Sequence, residues 1–203
     1  MSATSTPSKN LEQSTPAQII KQFLLAGDII ATRAQTANSV GVRMATGGTV
    51  SHAILCLGAR RGPQLAVDAM PKKGVTRDTL FNKLFQTSYA VVFRHRTATP
   101  EQCAKACAWA EHQALMNKPY DYNSAARVGI IAPYANVAKL IVIADDIDAK
   151  LNPQGEDASF MCSELVFRAY EIAGAPLTDK PAYCMSPQAL FKTNRLTCLG
   201  LLK

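Results

Sequence analysis

The chain has no long apolar run. Its most apolar region, Ala125 to Ala144, is interrupted by Arg127, Pro133, Asn136 and Lys139, short of the roughly 20 clean apolar residues that a membrane-spanning helix requires. No transmembrane segment is expected. Paired CxxC spacing is also missing: the cysteines Cys56, Cys103, Cys107, Cys162, Cys184 and Cys198 have neither the spacing of a zinc site nor the density of a small disulfide scaffold. They are expected to be reduced and mostly buried. Basic runs extend no further than Arg60-Arg61 or Lys72-Lys73 and have no aromatics interleaved, so the stacking strip of a single-strand binder is lacking and no nucleic-acid partner is expected. The leader, residues 1–16, is rich in Ser, Thr and Pro without an apolar stretch that a signal peptidase would read, which implies synthesis in the cytoplasm.

What is present suffices for one core. At 203 residues, 48% hydrophobic and 18% charged, residues 17–203 can form a single globular domain behind a flexible polar leader. The formal charge of +7 favours contact with anionic material, be it nucleic acid, membrane or cell-wall polymer.

Hydrophobic spacing predicts an α+β fold. A lead-in helix runs from Pro16 to Gly27, with Ile19, Ile20, Phe23 and Leu24 at helical spacing. Asp28–Arg33, Val50–Leu57, Gln64–Met70 and Ser88–Arg94 read as strands of a mostly antiparallel sheet. Thr76–Lys83 reads as a short helix, and a longer one follows Thr99-Pro100 to about Asn117. Asn123–Asn152 reads as helical and lid-like. A last helix starts after Ser159, carries Leu165, Val166, Ala169, Ile172 and Ala173 on one face, and stops at Gly174 and Pro176.

Cys162 falls in the first turn of that last helix. Unpaired backbone N–H groups and the positive end of the helix dipole favour a thiolate there, and the same N–H groups can receive an oxyanion. The alternative is an inert core thiol, three residues before Leu165 on the buried stripe. His52 lies in the strand SHAILCLG, where alternation sets His52, Ile54 and Cys56 on one face. Beside a thiol it could act as a base; alone it would be a satisfied core histidine. Asp68, in LAVDAM, could accept the second imidazole N–H if the two strands are neighbours, or face water at a strand end. His95 and His112 read as solvated surface residues. Cys103 and Cys107, four apart with His112 beyond, read better as small helix residues than as metal ligands. No metal and no cofactor are expected.

At these residues the chain resembles the NlpC family of papain-like cysteine peptidases with its halves exchanged. KPYDY and FMCSELVFRAYEIAGAPL resemble the family's first half, and GDII, SHAILCLG and LAVDAM its second. Because histidine precedes cysteine, the resemblance is to the circularly permuted branch with its YiiX-like and lecithin:retinol acyltransferase-like members. It implies a permuted papain-like fold with Cys162 as nucleophile at a helix N-terminus, His52 as base and Asp68 as orienting residue. It also implies that Tyr120 and Ser163 lie near the oxyanion or substrate. Two departures stand out: an apolar insertion up to Asn152 where the family has a Gly-rich segment, and aspartate where it more often has histidine or a polar amide.

The activity so implied is that of a thiol amidase or endopeptidase working through an acyl-enzyme, with peptidoglycan stem peptides as the first substrate class. A bacterial effector delivered to a target cell's periplasm, accompanied by a delivery or immunity protein, would reconcile that substrate with the missing signal peptide. One rival is a lipid-directed acyltransferase or thioesterase, with Ile130, Ile131, Leu140 and Ile141 touching acyl chains. The other is a non-catalytic binding module with Cys162 merely packed.

Overall fold

Short runs of Val, Ile, Leu and Ala stopped by Gly or Pro favour pleated strands, where β-branched side chains pack well. In the computed structural model, which describes residues 24–34, 39–40, 43, 48–59, 62–127 and 158–202, they form a six-stranded antiparallel sheet. Its strands are β1 (Ile29–Ala34), β2 (His52–Gly58), β3 (Leu65–Met70), β4 (Gly74–Thr79), β5 (Thr87–His95) and β6 (Leu196–Leu201), in the order β4-β3-β2-β1-β5-β6. Among the described residues, α1 (Leu80–Leu84), α2 (Pro100–Leu115), α3 (Tyr122–Arg127) and α4 (Cys162–Ile172) accompany them. No helix among the described residues is long and apolar enough to cross a membrane. The expected lead-in helix up to Phe23 and the expected lid beyond Arg127 lie outside the described residues.

Strand alternation divides the core between the two faces of the sheet. Ile29, Ala31, Ala53, Leu55, Val67, Ala69, Val91 and Phe93 pack with Ala106 and Ala110 of α2 and with Leu165, Val166 and Tyr170 of α4. Ile30, Ile54, Cys56, Ala66, Ala90 and Val92 pack with Leu24, Leu202 and the α1 residues Leu80 and Leu84. The start of β1 is pinned by Asp28, 1% exposed, which takes a two-pronged ion pair from Arg94 at 2.7 Å on each oxygen. Such a fork fixes direction as well as charge. A capping box on Thr99 and Gln102 opens α2, as the Thr-Pro signal implies.

Two elements depart from the expectations. Thr76–Thr79 is strand rather than helix: Thr76 pairs with Asp68 and Asp78 with Ala66 across β3, and only Leu80–Leu84 turns, capped by the Thr79 hydroxyl. The β6 edge is the other addition. It pairs with β5 on one side only, and all but Leu196 of its side chains are exposed, so it carries no alternating apolar signature. His95 also departs from the solvated reading, since it is 9% exposed and stacks on Tyr170 at 5.5 Å. Its Nδ1 accepts the backbone N–H groups of Thr97 and Ala98, and burial lowers its pKa.

The β3–β4 turn is tied to the segment that carries Tyr120. Val75 donates its N–H to the Lys118 carbonyl at 2.8 Å, and the Tyr122 hydroxyl accepts from the Lys72 N–H. Gly74 has φ +71, and a Cβ there would stand 2.4 Å from the Lys118 oxygen. Backbone strain and the clash with a fixed carbonyl should make Gly74→Ala cost about 2–3 kcal/mol. For a domain of this size a melting temperature lower by about 5–10 °C in a thermal unfolding scan is the expected result; an unchanged value would show that the contact yields freely.

Candidate active site

The antiparallel register of β2 on β3 sets Leu55 opposite Val67 and Cys56 opposite Ala66. His52 and Asp68 therefore come close on the shared face, and His52 Nε2 lies 2.8 Å from Asp68 Oδ2. That contact leaves Nδ1 free of Asp68, and Cys162 acts on the same ring from close by. Cys162 opens α4 and is 1% exposed.

The approach to α4 explains why the thiol sits there. Phe160 and Tyr120 form a parallel bridge, with Phe160 donating to the Pro119 carbonyl and Asp121 to the Phe160 carbonyl. Trp109 packs edge-on against Phe160 at 5.4 Å. The helix then begins at a residue whose side chain cannot cap it. Met161 supplies no acceptor, whereas Glu164 reaches back to the Met161 N–H at 3.2 Å. First-turn N–H groups beside Cys162 are thus left without a side-chain cap.

Charge in the site is set by neighbours more than by water. Burial pushes the His52 pKa down, but the negative charge of Cys162, the Asp68 hydrogen bond, the Cys162 hydrogen bond and the Asp68 charge outweigh it and raise the value to about 10. For Asp68, burial opposes ionisation, yet the hydrogen bond and charge of His52, joined by Lys83, hold the carboxyl below its usual range. Near neutrality the His52 ring therefore keeps its proton, with the Asp68 carboxylate hydrogen-bonded to it. Tyr120, 6% exposed, is pushed up by burial first and by the charge of Cys162 second. Its phenol stays protonated within reach of the Cys162 charge.

Of the residues singled out from sequence, Cys162, His52 and Asp68 come together and Tyr120 lies beside them. Ser163 does not offer its hydroxyl, which donates to the Met185 carbonyl at 2.6 Å while the residue is fully buried. Its backbone N–H is what it brings to the helix end. Two partners of Asp68 gave no signal in the sequence. Lys83 Nζ donates to Asp68 Oδ1 at 2.5 Å, and the Thr76 hydroxyl donates to the same oxygen at 3.0 Å. Lys83 lies between Phe81 and Phe85 and reads as a surface lysine, and local spacing around Thr76 points to helix rather than to the strand that presents it.

The other cysteines are free thiols: Cys56 and Cys107 are buried, Cys103 partly so, and Cys184 and Cys198 exposed. Cys107 turns into the core and donates to the Cys56 carbonyl, whereas His112 is exposed. No group of three His, Cys, Asp or Glu side chains suited to a metal ion occurs among the described residues.

No family model and no curated protein matches the chain. The fold itself has a solved counterpart: the chain is similar to the crystal structure of the metalloprotein YiiX from Escherichia coli O157:H7, with 20% identity and a TM-score of 0.61 over 86% of this chain and 96% of that one.

Proposed function

We propose that the protein is a thiol hydrolase in which Cys162 is the nucleophile, His52 the proton carrier and Asp68 the group that orients the imidazole. The observation that carries this reading is the 2.8 Å hydrogen bond from His52 to Asp68, with Cys162 acting on the same ring so that the imidazole stays protonated to about pH 10. An imidazolium sustained by a neighbouring thiolate is the resting form of an activated cysteine. The thiolate attacks an acyl carbon and the oxyanion forms near the first-turn N–H groups of α4 and the Tyr120 hydroxyl. His52 then gives its proton to the leaving amine as the C–N bond breaks. Water attacks the resulting thioester while His52 takes its proton, the C–S bond breaks, and acid and thiolate are released. Peptidoglycan stem peptides are the first substrates to try. The resemblance seen in the sequence suggests them, and the +7 charge suits an anionic wall.

The metal in the name of the structural neighbour does not transfer to these residues. Asp68 Oδ2 is taken by His52 and Oδ1 by the ammonium of Lys83 and the hydroxyl of Thr76. A cation would have to displace a lysine that already neutralises the carboxylate.

The test separates nucleophile from proton carrier. Iodoacetamide needs only the thiolate, whereas an amine leaving group also needs the proton on His52. Cys162 should alkylate faster than free cysteine at neutral pH, where free cysteine is mostly protonated, and its alkylation should persist as pH rises past about 10, while amide hydrolysis should decline as His52 loses its proton near about pH 10. Alkylation no faster than free cysteine would favour the packed, non-catalytic thiol and end the proposal.

A further inference from the structure

The short helix α1 buries Leu80 and Leu84 but leaves two aromatic rings beside them in solvent. Phe81 and Phe85 stand 67% and 71% exposed, whereas the Lys83 side chain between them is only 8% exposed. Folding alone favours the reverse, because apolar rings gain from burial and an ammonium loses its hydration. What Lys83 meets inside is specific. Its ammonium donates to Asp68 Oδ1 at 2.5 Å, to the Thr76 hydroxyl at 2.6 Å and to the Thr76 carbonyl at 3.1 Å, so all three of its protons are engaged. The Thr76 hydroxyl passes its own proton to Oδ1 and closes a triangle on that one oxygen. Oδ2 is left to His52.

We propose that Lys83 is a positioning residue for the site: with Thr76 it locks one carboxylate oxygen, aims the other at His52, and tempers the pull of Asp68 on the imidazole. This rests on the thiol-hydrolase reading given above. The tempering matters because an imidazolium held too firmly is a poor acid toward a leaving amine. A positive charge on the far side of Asp68 opposes the proton on His52 both directly and by sharing the carboxylate. The charged and titratable groups packed around this line are Cys162 and Glu164 on α4, Asp68 on β3, Asp78 on β4 and Tyr120 beside the thiol. Asp78 senses Lys83 and Asp68 with opposite signs, and Tyr120 senses Cys162 and Glu164.

The test is an NMR titration of the His52 ring in the full chain. Lys83→Met and Lys83→Gln remove the charge, and each should move the His52 midpoint upward by roughly one pH unit, a tenfold change in proton affinity. Asp68 stays ionised throughout that window, since even its ordinary range lies far below. Thr76→Val keeps the charge and removes one hydrogen bond, so its midpoint should stay within a few tenths of a unit of the parent. Two variants of different shape guard against one failing to fold, and folding is checked by the dispersion of the same spectra. A folded Lys83→Met or Lys83→Gln protein with an unmoved His52 midpoint, or one moved downward, would overturn the proposal. Failure of the underlying reading looks different: it would leave the midpoint unchanged in Cys162→Ala, while the effect of Lys83, which passes through Asp68, would still be read.

Discussion

Cys162→Ala is expected to lower acyl transfer by at least about a thousandfold, because it removes the atom that the proposed mechanism uses to form the covalent intermediate. The fold should survive. Cys162 is 1% exposed, but losing one sulfur at a helix start opens a small gap that costs on the order of 1 kcal/mol. Two measurements carry the prediction. Mass spectrometry of muropeptides and of phospholipids incubated with parent and variant should show products with the parent alone, and the class that is cleaved separates the wall hydrolase from the lipid-directed rival. Equal products from both samples would remove the proposed nucleophile. Independently of substrate, the His52 midpoint should fall from about 10 in the variant: burial already works to lower it, and the Cys162 charge is the largest influence opposing burial. A thiol that is only packed would leave that midpoint where it was.

The same contrast shows which parts of the site could be read from sequence. His52 and Asp68 were legible because each is a polar residue in a strand of small apolar neighbours, and the alternation that gathers Ile54, Cys56 and Ala66 on one face brings them to the same face. Cys162 was legible because Gly174 and Pro176 end a stripe of apolar residues that can be counted back to it. Lys83 could not be read this way. Its inward turn depends on Thr76–Thr79 being strand, and that in turn depends on pairing with β3, a tertiary fact that outweighs local spacing. The β6 edge, exposed along most of its length, left no period to detect. His95 follows the same rule: its flanking arginines point to solvent, but the rings of Tyr170 and His95 meet in the core. Residues whose setting comes from their own strand or helix were visible, while those placed by a neighbouring element were not.

Asp68→Ala should produce the largest loss of stability in the site. The substitution leaves the Lys83 ammonium buried with only Thr76 as its partner and deprives the His52 imidazolium of its closest anion. Stranding a buried charge in this way costs about 3–5 kcal/mol, which corresponds to a melting temperature lower by about 10 °C or more. The pH dependence identifies the cause. Asp68 has a folded pKa below its ordinary 3.8, so its contribution is present above that value and fades as pH falls through the lower, folded one. His52 has a folded pKa raised from 6.5 to about 10, so its contribution is complete below 6.5 and is lost as pH rises toward 10. The gap in stability between parent and Asp68→Ala should therefore be widest between about pH 4 and about pH 6.5 and narrow on both sides. Asp68→Asn keeps an acceptor for the His52 N–H but cancels the charge, so it should recover some of the orientation and little of the pH dependence. A gap that stays constant across the whole range would mean that Asp68 contributes through packing alone, and the ion-paired account of the site would fail with it.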